Sequence, residues 1–324
     1  MASAESPGKS VAVIGAGFSG LVSAYYLARA GFTVEIFEAT RRTGGLIGTI
    51  SKPQGLVETA ANGLLNSVLV EDLFTDLELP LLITKKEARK RFIFRAGEAR
   101  RWPLGLRASL RLIRFLITFF VSRSRVAPHA EETASRWAER VLGEEAAHYF
   151  VEAALQGIYA GDPGRMSASL IFGRFFVRTD EKTRRPRVRG TVSAPLGMGQ
   201  LIAKLEEKLK ALGCIFHYES NFSFDDTSAR PTVVATSATD AARLLRKAAP
   251  ARARLLDKVE LVAVTTATLF FDRTDASTKG FGCLFPPIEN RKALGVLKND
   301  FIFEGRAKRD LHSETWILGG ARAP

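Results

Sequence analysis

The sequence predicts an α/β protein with about two domains. The chain has 324 residues, and a domain commonly takes ~150 residues. Hydrophobic residues make up 46% and charged residues 25% of the chain, a composition typical of a folded globular protein and not of a disordered one. Residues 9–38 read as strand, glycine-rich turn, helix and strand, which is the pattern of a parallel βαβ unit.

The N-terminal βαβ unit carries a dinucleotide-binding pattern. Strands are predicted at residues 11–14 and 33–37, and a helix at residues 21–30. The turn after the first strand fits G-x-G-x-x-G, and its expected ligand-binding residues are Gly15, Ala16, Gly17, Phe18, Ser19 and Gly20. In this pattern the second glycine lets the backbone approach a pyrophosphate, and the third lets the helix pack against the strand. Free amides and the dipole at the helix start favour phosphate charge.

An acidic residue ends the second predicted strand. Glu38 follows Gly20 by 18 residues, close to the usual spacing of ~20. Its carboxylate is expected to accept hydrogen bonds from ribose hydroxyls, and it would repel a 2′-phosphate. The motif therefore disfavours an NADP site.

The segment after Glu38 favours FAD over a nicotinamide cofactor. Residues 38–45 read E-A-T-R-R-T-G-G, a pattern that resembles the flavin-containing amine oxidase superfamily. Arg42 is expected to neutralise pyrophosphate charge, and Gly44 and Gly45 to allow a second close backbone approach. Ala39 and Leu46 flank these residues and are further candidates for FAD contact. The alternative is a simple Gly-Gly hinge after a strand.

The composition makes several other classes of site improbable. Two cysteines cannot build a disulfide scaffold, and the four histidines are scattered, so no metal site is predicted. The net charge of +13 favours anionic partners. Nucleic acid is disfavoured, because the basic residues lack interleaved aromatic residues and no helix-turn-helix or RNP string is present.

No membrane-spanning or targeting segment is predicted, and we expect a cytoplasmic protein. The longest apolar run is at residues 115–121, far short of the ~20 residues that span a bilayer. Residues 104–126 place Arg107, Arg111 and Arg114 on one helix face, with an apolar face expected opposite. Such a helix either lies in a membrane interface or packs in a core, and the sequence leaves both open.

Along its whole length the chain resembles the oxygen-dependent protoporphyrinogen oxidases. The narrowest motifs are QGIYAGD at residues 156–162 and GFGCLFP at residues 280–286, joined by RFIF at 91–94, PLGMGQ at 195–200 and ILGG at 317–320. The coproporphyrinogen-oxidising relatives share these narrow motifs, so that substrate stays open.

The resemblance implies a Rossmann-like FAD-binding domain of the amine-oxidase or p-cresol-methylhydroxylase type. A mixed-sheet substrate domain and a helical, membrane-binding insertion would interrupt it. The implied division is FAD-binding at 9–76 and 190–250, substrate-binding at 77–96 and 251–324, and the helical insertion at 97–189.

The resemblance also implies a reaction and partners. Protoporphyrinogen IX would lose six electrons to give protoporphyrin IX in haem synthesis, with hydride transfer to flavin N5, dioxygen as oxidant and hydrogen peroxide released. No catalytic side chain is expected, because the flavin carries the chemistry. Implied partners are a peripheral membrane surface, ferrochelatase and a second copy of the chain.

Several site residues are carried over from the resemblance. Arg91 would face a substrate propionate, Phe281, Gly282 and Leu284 would line the substrate slot, and Ile317 would form its opposite wall. The remaining implied FAD contacts are Ala60, Ala61, Asn62, Gly63 and Phe222.

Two departures from the family pattern bear on activity. Ala60 and Ala61 replace a Gly-Pro pair, and each methyl group narrows the space beside the flavin. Family members also continue beyond the position of Pro324 with another FAD-binding segment. A truncated, catalytically impaired homologue or fragment is therefore the alternative expectation.

Overall fold

The computed structural model describes residues 10–177, 184–224, 230–272 and 278–322. The strands in these ranges are β1 Ser10–Ile14, β2 Thr33–Phe37, β3 Thr49–Lys52, β4 Gly55–Glu58, β5 Leu64–Leu65, β6 Leu82–Ile83, β7 Arg91–Arg95, β8 Glu98–Arg100, β9 Thr191–Ser193, β10 Ile215–His217, β11 Thr232–Val234, β12 Val264–Asp272, β13 Gly282–Leu284, β14 Ala293–Lys298 and β15 Leu311–Gly319. The α-helices are α1 Phe18–Arg29, α2 Val68–Asp76, α3 Leu106–Val121, α4 Arg123–Val126, α5 Ala134–Leu142, α6 Glu144–Ala146, α7 Ala153–Tyr159, α8 Ala168–Phe172, α9 Met198–Ala211, α10 Ala238–Ala248, α11 Pro250–Leu256 and α12 Asn299–Ile302. A π-helical turn, Ala147–Glu152, joins α6 to α7.

The chain folds as two compact units. Unit 1 comprises Met1–Ile83 and Arg185–Leu261, and unit 2 comprises Thr84–Arg184 and Val262–Pro324. Each unit is therefore built from two separate stretches of chain. The finer division into a substrate part and a helical insertion stays a prediction.

Unit 1 is organised around a parallel sheet of order β10-β2-β1-β11. β1 and β2 lie side by side and parallel, as in the βαβ unit of a dinucleotide-binding fold. β1 is buried because it has a neighbour on each side, and α1 and α9 pack together in the same core. The α/β, Rossmann-like prediction is confirmed. The turn from β1 to α1 lies at the carboxyl edge of the sheet, where ligands of open α/β sheets bind.

Unit 2 contains a mixed sheet of order β12-β15-β14-β13-β7-β8. β13 pairs with β7 in parallel, whereas its pairing with β14 is antiparallel. The predicted mixed sheet is confirmed. β7 comes from the first stretch of unit 2 and β13 from the second, so this pairing joins the two stretches.

Helix α3 is apolar around most of its circumference. Ala108, Leu112 and Phe115 pack against a core that includes Trp137. The exposed apolar residues of the helix are Leu106, Leu110, Ile113, Leu116, Ile117, Phe120 and Val121. At 100° per residue, the predicted arginine face, with Arg107, Arg111 and Arg114, lies opposite apolar residues that include Leu112 and Leu116, as the sequence predicts. Within the described ranges, no helix is long and apolar enough to cross a membrane.

A buried ionic network stabilises one end of the unit 2 sheet. The side chain of His312 is fully buried, with Nδ1 2.5 Å from Asp300 Oδ1 and Nε2 3.3 Å from Glu314 Oε1. Lys298 Nζ lies 3.5 Å from the same Glu314 oxygen. Burial lowers the pKa of His312, but its contacts with the Asp300 and Glu314 carboxylates outweigh burial and hold that pKa above its usual value.

We expect the free energy of unfolding to fall as the pH rises through the folded-state pKa of His312. A raised pKa means that protonated His312 stabilises the fold, fully so below the unfolded value of ~6.5. His312→Gln should cost about 3–5 kcal/mol below that pH, because it removes the buried imidazolium that contacts the Asp300 and Glu314 carboxylates. Urea unfolding across the pH range measures the free energy of unfolding of wild type and of His312→Gln. The exposed His129→Gln is the control, and a pH-independent difference between wild type and His312→Gln would contradict the prediction.

Candidate dinucleotide cradle and substrate face

The turn between β1 and α1 exposes backbone amides at a helix start. Gly17 is the N-cap residue, with φ −68° and ψ 173°, and among the described residues no side chain caps the helix there. A Cβ at Gly20 would lie 1.9 Å from the carbonyl oxygen of Gly15, so only glycine allows this approach of helix and turn. The helix start is thus open to an anion, as the fingerprint predicts.

Glu38 is buried at the end of β2 and points toward this turn. Its Oε2 accepts a hydrogen bond from the Ala16 amide at 2.8 Å. Its Oε1 accepts from the amide and hydroxyl of Thr40, at 2.9 and 2.8 Å. A carboxylate oxygen has two acceptor sites, so Oε2 keeps capacity for a ribose hydroxyl.

The Gly44–Gly45 loop, residues 43–47, lies directly against the first turn. The Gly44 amide donates to the carbonyl of Ala16 at 2.7 Å, and Gly17 and Gly44 form an isolated parallel bridge. A Cβ at Gly45 would lie 3.2 Å from Gly17 Cα. Two stretches of backbone therefore meet with no side chain between them.

Arg42 braces the Gly44–Gly45 loop. Its guanidinium donates to the carbonyl oxygens of Thr43, Gly45 and Ile47, at 3.2, 2.7 and 3.3 Å. These bonds hold the positive charge beside the loop but use several of its five donors. The predicted role of Arg42 toward pyrophosphate remains a proposal.

The other candidate FAD residues flank the same edge of unit 1. Thr59 Oγ1 donates to the carbonyl of Leu46 at 2.7 Å, which places the stretch that begins at Ala60 next to the Gly44–Gly45 loop. Phe222 makes an edge contact with Phe37, the residue before Glu38, at 5.0 Å between ring centroids. These placements bring the predicted residues to one end of the sheet, and their contacts with FAD remain proposals.

The space beside Gly17 is open and could hold a phosphate group. A Cβ built at Gly17 would meet no atom of the described chain within 4 Å. The cradle is thus free of protein side chains at the point where the fingerprint requires a pyrophosphate to approach.

Sequence reasoning missed Glu58, the last residue of β4, whose buried carboxylate binds the first residue of α9. Its two oxygens lie 3.1 and 3.3 Å from the amide of Met198, and one accepts from Thr49 Oγ1 at 2.7 Å. The negative charge suits the positive end of the helix dipole. No local signal in the sequence connects Glu58 with a helix that begins 140 residues later.

In unit 2 the candidate substrate residues lie on one sheet. Arg91 pairs with Gly282 across β7 and β13, and its guanidinium carbon lies 4.6 Å from the Phe281 ring centroid. Leu284 pairs with Gly295, which in turn pairs with Ile317. Side chains at paired positions share a face. Strand pairing places Ile317 in the same sheet as Leu284, and its role as a wall of the substrate slot stays a prediction.

The narrow motifs of the sequence meet on this sheet. A Cβ at Gly157 of α7 would lie 2.5 Å from Leu284 Cδ2, so the QGIYAGD segment packs on the GFGCLFP segment. The Ala321 amide donates to the carbonyl of Ala160 at 2.8 Å, which joins the end of the ILGG segment to QGIYAGD. Cys283 lies on the other sheet face, and burial raises its pKa to about 11, so its thiol stays protonated and unreactive near neutral pH.

Comparisons with known proteins place this geometry in context. The profile of the family described as flavin containing amine oxidoreductase matches residues 18–323. Protoporphyrinogen oxidase 2 of Arabidopsis thaliana is 24% identical, over 97% of this chain and 76% of the relative. Coproporphyrinogen III oxidase of Bacillus subtilis is 25% identical, over 63% of this chain and 48% of the relative. A crystal structure from Exiguobacterium sp. 255-15 has a TM-score of 0.74 at 18% identity, covering 96% of this chain and 77% of that one.

We expect Gly17→Val to abolish tight FAD binding without unfolding the protein. The backbone of Gly17 has a negative φ and there is room for a side chain in the chain itself, so the added atoms collide only with a ligand. Affinity should fall more than about tenfold, or ~1.4 kcal/mol, in an equilibrium titration with FAD.

Gly173→Val is the matched control, because Gly173 also has a negative φ and free space around its Cβ position among the described residues. A Gly17→Val protein that binds FAD as wild type does would remove the β1–α1 turn from the site.

Proposed function

The chain belongs to the flavin-containing amine oxidoreductase family, and from that premise we propose that it oxidises protoporphyrinogen IX to protoporphyrin IX with dioxygen as oxidant. The observation that carries the proposal is the meeting of QGIYAGD with GFGCLFP through Gly157 and Leu284. The relative of highest coverage named above, a protoporphyrinogen oxidase, supports the choice of substrate.

FAD is the cofactor, and residues of unit 1 would hold it. The amides after Gly17 would bind the pyrophosphate, Glu38 the ribose, and the Gly44–Gly45 loop the elongated cofactor from the other side. When bound, FAD supplies the electron acceptor for the oxidation. The proposal assigns no proton transfer to a side chain of this chain.

The substrate is an apolar macrocycle that carries carboxylates. Leu284 and Ile317 share one sheet face and would contact the ring. The Arg91 guanidinium, held over Phe281, would bind a propionate in a charge-assisted contact worth ~1.5–3 kcal/mol. Gly282 allows β13 to pair closely with β14, since a Cβ there would lie 2.1 Å from the Val296 carbonyl oxygen.

A second candidate substrate is coproporphyrinogen III. The similarity to the Bacillus subtilis enzyme favours it. Both substrates need the same cofactor cradle and the same arginine.

The decisive experiment loads the purified chain with FAD and follows porphyrin fluorescence from each porphyrinogen in air. Faster turnover of protoporphyrinogen IX supports the proposal, and faster turnover of coproporphyrinogen III replaces it with the second candidate. FAD uptake without turnover of either contradicts a porphyrinogen oxidase. A chain that takes up no FAD favours the impaired homologue.

We also propose that the exposed face of α3 docks on a membrane surface. Ile117 is 59% and Phe120 78% exposed, and Arg107, Arg111 and Arg114 lie along its edge. Apolar residues beside arginines suit an interface of lipid tails and anionic headgroups. Ferrochelatase and a second copy of the chain stay predictions.

Arg91→Ala should raise KM for the porphyrinogen about tenfold to a hundredfold, because it removes the charge-assisted contact. Steady-state kinetics at saturating dioxygen measure it. Arg89→Ala is the control, since Arg89 is an exposed arginine two residues away. An unchanged KM for Arg91→Ala would remove this residue from the site.

Replacing Leu110 and Ile117 together by Glu should weaken binding to anionic phospholipid vesicles at least about tenfold, since each buried aliphatic side chain contributes ~1.5–3 kcal/mol. Vesicle co-sedimentation measures the partition. Leu255→Glu is the control, because Leu255 is a helical leucine of unit 1 that is 64% exposed. Equal sedimentation of all three proteins would refute docking through α3.

A further inference from the structure

The residue before Gly44 is tied to a distant helix. Thr43 is buried, and its Oγ1 donates to Glu206 Oε2 at 2.6 Å. Glu206 lies on α9, one turn after Ile202. A Cβ at Gly44 would lie 3.0 Å from Ile202 Cγ2. The Gly44–Gly45 loop therefore rests on the face of α9 that carries Ile202 and Glu206.

The other side of the same loop faces the first turn. Gly44 donates to Ala16, and Gly45 lies against Gly17. The loop is thus held between α9 and the turn that receives the pyrophosphate.

Glu206 is suited to hold Thr43. Its Oε1 accepts from Tyr218 Oη at 2.7 Å and from Lys210 Nζ at 2.5 Å, which leaves Oε2 for the threonine hydroxyl. Burial raises the pKa of Glu206, but hydrogen bonds from Lys210, Thr43 and Tyr218 outweigh burial and keep that pKa below its usual value. The carboxylate is therefore ionised at neutral pH, and the bond from Thr43 is charge-assisted.

We propose that Glu206 is a positioning residue for FAD, which acts through Thr43 on the Gly44–Gly45 loop and does not itself touch the cofactor. This inference rests on the proposed role of that loop in FAD binding. It predicts that FAD affinity depends on the Thr43 hydroxyl and the Glu206 carboxylate as one unit.

The test is an equilibrium titration of each apoprotein with FAD, combined with a thermal melt of the same apoprotein. Thr43→Val keeps the shape of the side chain and removes the hydroxyl. It should weaken FAD binding about tenfold to a hundredfold, the range for losing one charge-assisted hydrogen bond. Thr43→Ser keeps the hydroxyl and should bind FAD as wild type does, to within about twofold.

Glu206→Gln should also weaken FAD binding. The double variant Thr43→Val/Glu206→Gln should bind FAD no more weakly than Thr43→Val, because both changes remove the same contact. Glu207→Gln is the matched control. Glu207 is the next residue of α9, is exposed, and pairs with Lys204 at 2.8 Å.

Three outcomes would overturn the inference. Thr43→Val binds FAD with wild-type affinity, the losses of FAD binding energy add in the Thr43→Val/Glu206→Gln double variant, or Thr43→Ser loses as much FAD affinity as Thr43→Val. A change in melting temperature with unchanged FAD affinity would assign Glu206 a purely structural role. If wild type binds no FAD at all, the proposed function fails first, and that result is distinguishable from all of these.

Discussion

Contact between two stretches of bare backbone governs the architecture of unit 1. The first turn, at Gly17, and the second loop, at Gly44, pair directly. A Cβ at Gly44 would meet the Ile47 carbonyl oxygen at 2.6 Å, and the backbone there has φ +100°, which glycine alone adopts without strain. A side chain at Gly44 would therefore force this backbone contact apart, whereas one at Gly17 would meet no atom of the described chain.

Three carboxylates bind donors of the elements around this cradle. Glu38 binds the amide of Ala16, and Glu58 binds the amide at the start of α9. Glu206 then binds the loop from two turns further along the same helix. Each carboxylate is paired with fixed donors, which offset part of the cost of burying its charge. The apolar core below holds the sheet and helices together, and the carboxylates fix the edge where chemistry is proposed.

The sheet of unit 2 differs from that of unit 1, because its proposed ligand is a large apolar macrocycle. Gly282 and Gly295 carry no side chains on the two central strands, so neighbouring residues such as Leu284 and Ile317 define the face. Gly157 allows α7 to approach this face closely. Helix α3 packs one side on a core that includes Trp137, and its other apolar residues are exposed.

Sequence alone determined the features that depend on neighbours along the chain. Strand β2 was predicted at the residues where it forms, and the positions of Gly17, Gly20 and Glu38 followed from their spacing. The sequence shows such patterns because the spacing of apolar residues and the residues of turns reflect structure within a few positions. Tertiary structure decided the rest. Leu64 and Leu65 form a strand by pairing with Val192 and Thr191 of β9, which no local pattern predicts. The Arg42 guanidinium donates to the carbonyl oxygens of its own loop. Ile317 lies in the same sheet as Leu284, and Glu206 accepts a hydrogen bond from Thr43. The partners in these last two contacts are distant in sequence and leave no local periodic signal.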